Sequence, residues 1–111
     1  MVITTKLRYE ALRSVNTATL AGTYVPFGLP LANRTYIFKI VNNSNQLLTI
    51  SLDGVTDEDI IPPGSFILYD VESNKSLNAD DLFLPQGTQF YVKGAAGVGL
   101  VYLVVLYGAN I

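Results

Sequence analysis

Apolar and polar positions alternate along much of this chain with a period of two, and no stretch keeps the 3.6-residue apolar spacing of a helix for three turns. Residues 34–41 give the clearest case, with Tyr36, Phe38 and Ile40 on one face of a strand and Ile37, Lys39 and Val41 on the other. The cluster Asn42-Asn-Ser-Asn45 reads as the turn that hands over to a second strand at 47–52. Asp53-Gly54 with Thr56 to Asp59 predicts the next turn, and Pro62-Pro63-Gly64 another before a strand at 65–70. The polar stretch 71–81 reads as a surface loop. Gln86-Gly87-Thr88 then introduces a strand at 89–93, and the glycine-rich 94–99 turns into the last strand. Upstream, Pro26-Phe-Gly-Leu-Pro30 marks a loop. Residues 6–15 suit a strand or extended arm through Leu7, Tyr9, Ala11 and Val15, although Leu7, Ala11 and Leu12 also form a short helical stripe. Turn signals every 8–12 residues or so, with about eight strands, predict an all-β, single-domain antiparallel β-sandwich, jelly-roll-like in type. Its expected core includes Phe38, Ile40, Ile50, Leu52, Ile67, Phe90, Val92 and Val104.

The last strand departs from alternation. Residues 99–108 are apolar at every position between two glycines, which is the pattern of a strand covered on both faces. Val101, Leu103 and Val105 lie on one face and Tyr102, Val104 and Leu106 on the other. A chain of 111 residues is hard pressed to cover both from within, so these six are candidate interface residues and a neighbouring subunit is the expected cover.

Composition sharpens that expectation. Hydrophobic residues make up 50% of the chain and charged residues 14%, against roughly 25% charged in an average globular domain. Such a surface needs neutral polar groups or partner contacts. The length implies one domain, with residues 1–33 forming an N-terminal arm and first strands, possible docking elements, and 34–111 the sandwich body. The apolar run at 99–108 is far short of the ~20 residues of a spanning helix, so no membrane partner is expected. Charges at Lys6 and Arg8 occupy the place of a signal peptide's apolar core, which predicts cytoplasmic synthesis without export. A net charge of −2 offers phosphate backbones nothing, so direct nucleic-acid binding is not expected.

Candidate chemistry is sparse. The chain has no histidine and no cysteine, which removes the commonest general base, thiolate nucleophiles, disulfides and the usual transition-metal ligands. Asp53, Asp57, Glu58 and Asp59 are close enough to suggest a carboxylate pair or a calcium loop. They crowd one short turn rather than facing a cleft, and their spacing is not that of an EF-hand. A solvated turn is the expectation, with no catalytic residue, cofactor or metal. Gly94, Gly97 and Gly99 superficially match a phosphate-binding loop, but they precede a strand where such a loop opens a helix. Asn33, Asn42 and Asn74 each begin an Asn-x-Ser/Thr pattern, read as turn chemistry. Tyr36, Phe38, Tyr69, Phe90, Tyr91, Tyr102 and Tyr107 fall within strands, where packing explains them better than a sugar-binding platform, and tryptophan is absent.

From about Tyr36 to Gly108, roughly two thirds of the chain, the order of features resembles small virion structural proteins of tailed bacteriophages. The resemblance rests on Tyr36-Ile-Phe-Lys-Ile-Val-Asn-Asn, Ile50-Ser-Leu-Asp-Gly-Val-Thr-Asp, Pro63-Gly-Ser-Phe-Ile-Leu-Tyr-Asp70, Gly87-Thr-Gln-Phe-Tyr-Val-Lys93 and Val101-Tyr-Leu-Val-Val-Leu-Tyr-Gly108. It implies a non-enzymatic virion component, made in the host cytoplasm, that forms a homo-oligomer on the capsid as a decoration or auxiliary protein. Its implied partners are further copies of itself and the major capsid or connector protein. A neck, tail or fibre-attachment part is the alternative within the same family, and a host-surface carbohydrate or receptor binder the alternative outside it.

Overall fold

A computed structural model describes residues 5–70 and 83–110. Among them run nine strands: β1 (Thr5–Tyr9), β2 (Arg13–Asn16), β3 (Val25–Pro26), β4 (Thr35–Ser44), β5 (Leu48–Ser51), β6 (Asp59–Ile61), β7 (Phe66–Asp70), β8 (Tyr91–Lys93) and β9 (Gly99–Asn110). A 3-10 turn at Thr17–Thr19 is the helical element among these residues. All named strand pairs are antiparallel. The large sheet has the order β1-β9-β4-β7, with β2 also against β9, and the small sheet has the order β3-β8-β5-β6.

Read from β2 onward, strands 2-9-4-7 face strands 3-8-5-6. That is the eight-stranded jelly roll built of two Greek keys, with β1 as an additional ninth strand lying along the end of β9. The all-β sandwich expected from the sequence is therefore the fold. Residues 6–15 form two strands broken at Glu10 to Leu12 rather than a helix. From Arg13 onward the N-terminal third is built into both sheets, β2 against β9 and β3 against β8.

The core lies between the sheets. Phe38, Ile40, Ile50, Phe90 and Val92 are buried as expected, joined by Leu20, Phe27, Leu31, Leu48, Ile61, Val101, Leu103 and Val105. Ile67 packs against this cluster from its rim. Leu52 and Val104 do not belong to it. Leu52 lies exposed just past the end of β5, and Val104 points to the outer face of the large sheet, half-buried. Phe27 sits in a stretch that reads as a loop, yet it is fully buried. Its amide donates to the Phe90 carbonyl at 2.8 Å, so an apolar anchor and a backbone bond fix the loop to the small sheet.

One boundary differs instructively. The asparagine cluster at 42–45 is not the turn; β4 runs on to Ser44. Asn42 is fully buried, and its Nδ2 donates to the carbonyls of Gln46 (2.8 Å), Ile61 (2.9 Å) and Pro62 (3.2 Å). Its Oδ1 accepts from the Ser44 amide and hydroxyl, at 3.1 and 2.6 Å. The side chain does the hydrogen bonding of a turn while the backbone stays in the ladder. Gly99 opposite is required by the same closeness. It has φ +115°, and a Cβ there would overlap the carbonyl oxygen of Asn43.

Candidate functional site

The two outer faces of the sandwich are chemically unlike. On the small sheet, the register places Tyr91, Lys93, Thr49 and the buried Ser51 on the outer side, with exposed Ile60 beside Thr49, and polar contacts tie the face. Lys93 Nζ bonds the Asp57 carboxylate at 2.8 Å and lies 4.6 Å from the centre of the Tyr24 ring, whose hydroxyl donates to the same carboxylate. The Lys93 and Tyr24 hydrogen bonds hold the Asp57 carboxyl below its ordinary range. Burial, the Asp57 bond and the surrounding carboxylates push the Tyr24 hydroxyl up to about 12.

On the large sheet the outward side chains are mostly apolar, with Lys39 and Asp70 among them. Val41 of β4 lies between Phe66 of β7 and Tyr102 of β9; Lys39 lies between Leu68 and Val104; Ile37 lies between Asp70 and Leu106. Tyr9 continues the last row beyond Leu106, and Leu7 lies opposite Gly108. Among the described residues nothing packs over this face. Phe66 is 63% exposed, Leu68 58%, Tyr9 70% and Leu7 57%, while Ile37, Val41, Tyr102, Val104 and Leu106 are shielded partly by their own neighbours. Four strands about 4.8 Å apart and some seven residues long at ~3.3 Å each span a sheet area on the order of 500 Å², Lys39 and Asp70 included. Soluble monomers rarely expose a contiguous apolar patch much beyond a few hundred Å² unless it contacts something.

The six candidate residues of β9 divide cleanly. Val101 and Leu103 are 0% exposed and Val105 1%, so they serve the subunit's own core and are not contact side chains. Tyr102, Val104 and Leu106 lie on the open face. Sequence reasoning missed their companions Ile37, Val41, Phe66, Leu68 and Tyr9. The signal was present in β4 and β7, which carry apolar residues at both parities, but that signal shows a second apolar face only once the strands are known to be neighbours.

The acidic turn is occupied with its own backbone. Asp53 accepts from the amides of Val55 and Thr56 and from the hydroxyls of Ser51 and Thr56, and these bonds hold it well below the usual carboxylate range. Glu58 accepts from the Leu52 amide at 2.7 Å, and Asp59 from the Tyr69 hydroxyl. Asp53 and Glu58 share the Ser51 hydroxyl, while Asp57 and Asp59 turn to Lys93 and Tyr24 and to Tyr69. Among the described residues no group of three or more metal-ligating side chains converges. Asn42, in one of the Asn-x-Ser/Thr patterns, is buried, and Asn33 in another donates to Glu10 at 3.0 Å. Asn74 lies outside the described residues, as does the 71–81 loop reading.

Two hollows remain. An open groove of about 630 Å³ lies between the β1–β2 corner and residues 28–33. Its floor is a buried ion pair, Arg13 Nη2 to Glu10 at 2.8 Å. Arg13 also donates to the carbonyls of Leu29 and Pro30, and Glu10 accepts from the amides of Ala32 and Asn33. Burial works to raise the Glu10 pKa, but the Arg13, Asn33 and Ala32 hydrogen bonds outweigh it and hold it low. This is a structural joint with its polar groups paired. A smaller slot of about 250 Å³ opens between the sheets over Phe38, Ile40 and Phe90, beside the Tyr69 to Asp59 bond. Comparison with known protein families, curated proteins and solved structures yields no match.

Proposed function

We infer that the protein is a non-enzymatic structural subunit that assembles through the outer face of its large sheet, as a homo-oligomer on the capsid of a tailed bacteriophage. The observation that carries the assembly reading is the largely apolar face made by β7, β4 and β9, uncovered among the described residues, set against an outer face on the small sheet that polar contacts tie together. The virion setting rests on the sequence resemblance, and the jelly roll is compatible with it because capsid proteins are among the many users of that fold. On this reading its partners are further copies and the major capsid or connector protein.

The test uses the two parities of β9. Leu103→Lys places a charge in the core and unfolds the domain, whereas Val104→Lys leaves a folded subunit that has lost the contact. The readouts are thermal unfolding, oligomeric mass by light scattering, and binding to virus particles that lack the protein. A wild-type protein that is a monodisperse monomer at high concentration and ignores such particles would refute the reading.

A further inference from the structure

Sheet edges offer unpaired N–H and C=O groups, and soluble proteins blunt them with charge, proline or brevity. Among the described residues, three of the four sheet edges are blunted in that way. β1 carries Lys6 and Arg8, β3 is two residues long with Pro26, and β6 is three residues long and begins with Asp59. β7 is blunted least. Its sequence is Phe66-Ile-Leu-Tyr-Asp70, with no proline, no lysine and four apolar residues in a row before the terminal Asp70, and it is the outermost strand of the large sheet among the described residues.

The hydrogen-bond phase of β7 is fixed by its neighbours. The Asn42 amide donates to the Ser65 carbonyl, and on the other side of β4 the Asn45 amide donates to the Val98 carbonyl. Even-numbered residues of β4 therefore bond toward β7 and odd-numbered ones toward β9. In the register Ile40 to Ile67 and Phe38 to Tyr69, residues 67 and 69 turn their amides and carbonyls to β4. Phe66 and Leu68 turn theirs outward. The same two residues present exposed side chains on the open face, so backbone valence and apolar surface coincide on one edge.

We propose that β7 pairs antiparallel with β7 of a second copy across a two-fold axis, joining two large sheets into one and their two open faces into one continuous surface. This deepens the assembly reading and rests on it. A second copy fits because an antiparallel strand is its own complement. In the register that sets Phe66 against Leu68 of the second copy, each outward N–H meets an outward carbonyl, and both cross-strand pairs are apolar.

The experiment compares wild-type protein with Leu68→Pro and Leu68→Val by sedimentation over a range of concentration. Proline at 68 removes an N–H that makes no bond to β4, so the edge strand survives and the pairing does not. Leu68→Pro should weaken dimerisation about thirtyfold or more, two lost hydrogen bonds per dimer at ~1 kcal/mol each, while Leu68→Val stays within about threefold. Amide hydrogen exchange on the wild-type protein gives a readout independent of any variant. The amides of Phe66 and Leu68 should gain protection as concentration rises, and those of Ile67 and Tyr69 should be protected throughout. An oligomer that survives Leu68→Pro, with fast exchange at 66 and 68, overturns the pairing and leaves the assembly reading standing. Protection of 66 and 68 already in the monomer shows that the chain covers its own edge, and also overturns it. A wild-type monomer at all concentrations that ignores particles sinks both.

Discussion

At the scale of single residues, the tightest constraints are polar. Asn42 satisfies three carbonyls from two separate turns, so Asn42→Ala removes five hydrogen bonds at once and leaves acceptors buried. A loss of about 3 kcal/mol in denaturant unfolding is expected, since each orphaned buried group costs ~1–3 kcal/mol. Glu10 is the second such residue. Its folded-state pKa lies below the unfolded value, so its contribution is fully present above the ordinary glutamate range and is lost as pH falls through the depressed folded value. Glu10→Gln should lower stability at neutral pH and flatten that part of the acid limb in pH-dependent melting. Tyr24 has the opposite sign. Its raised pKa puts its ionisation at about pH 12 in an ultraviolet titration of the folded protein. The stability tied to it is present below ~10 and is lost as pH rises toward that value.

At the scale of elements, Phe90 on the small sheet packs edge-on to Phe38 of β4, with ring centroids 5.0 Å apart, and so holds the two sheets together. Phe90→Ala should cost about 3–5 kcal/mol, measured by the same unfolding transition. Much of this layer was legible in sequence because alternation fixes parity: Phe38, Ile40, Ile50 and Val92 follow from it directly. Elements that spend few residues were not. β6 was lost between two turn signals because three residues cannot display a period. Phe27 was hidden by flanking prolines and glycine that correctly mark a loop but say nothing of a buried anchor. Val104 was assigned to the core because both parities of β9 are apolar, and hydrophobicity cannot tell which parity the partner sheet covers. The interface half of β9 was legible for the same reason, as an excess of apolar residues over the faces one small domain can hide.

At the scale of the whole molecule, the jelly roll spreads its polar ties and its apolar face to opposite sides, so the two can be altered separately. Chelators should leave the melting temperature unchanged, because the acidic turn is held by amides and hydroxyls; a fall on chelation that calcium restores would instead mark a cation there. The position of β9 carries a consequence for how the chain comes into being. β9 is the centre of the large sheet, with β1 and β2 along one side and β4 along the other, yet among the described strands it comes last in chain order. Until it emerges from the ribosome, β1 and β2 have no neighbour in the large sheet and β4 has β7 alone, so the nascent chain must wait with much of its apolar surface uncovered. Closure over such long sequence separations is slow, on the order of milliseconds to seconds, and the waiting chain is exposed to aggregation. Ribosome-stalled chains should therefore remain protease-sensitive while residues 99–110 are inside the exit tunnel, and resistance should appear in one step when an added C-terminal linker is long enough to carry those residues clear of it.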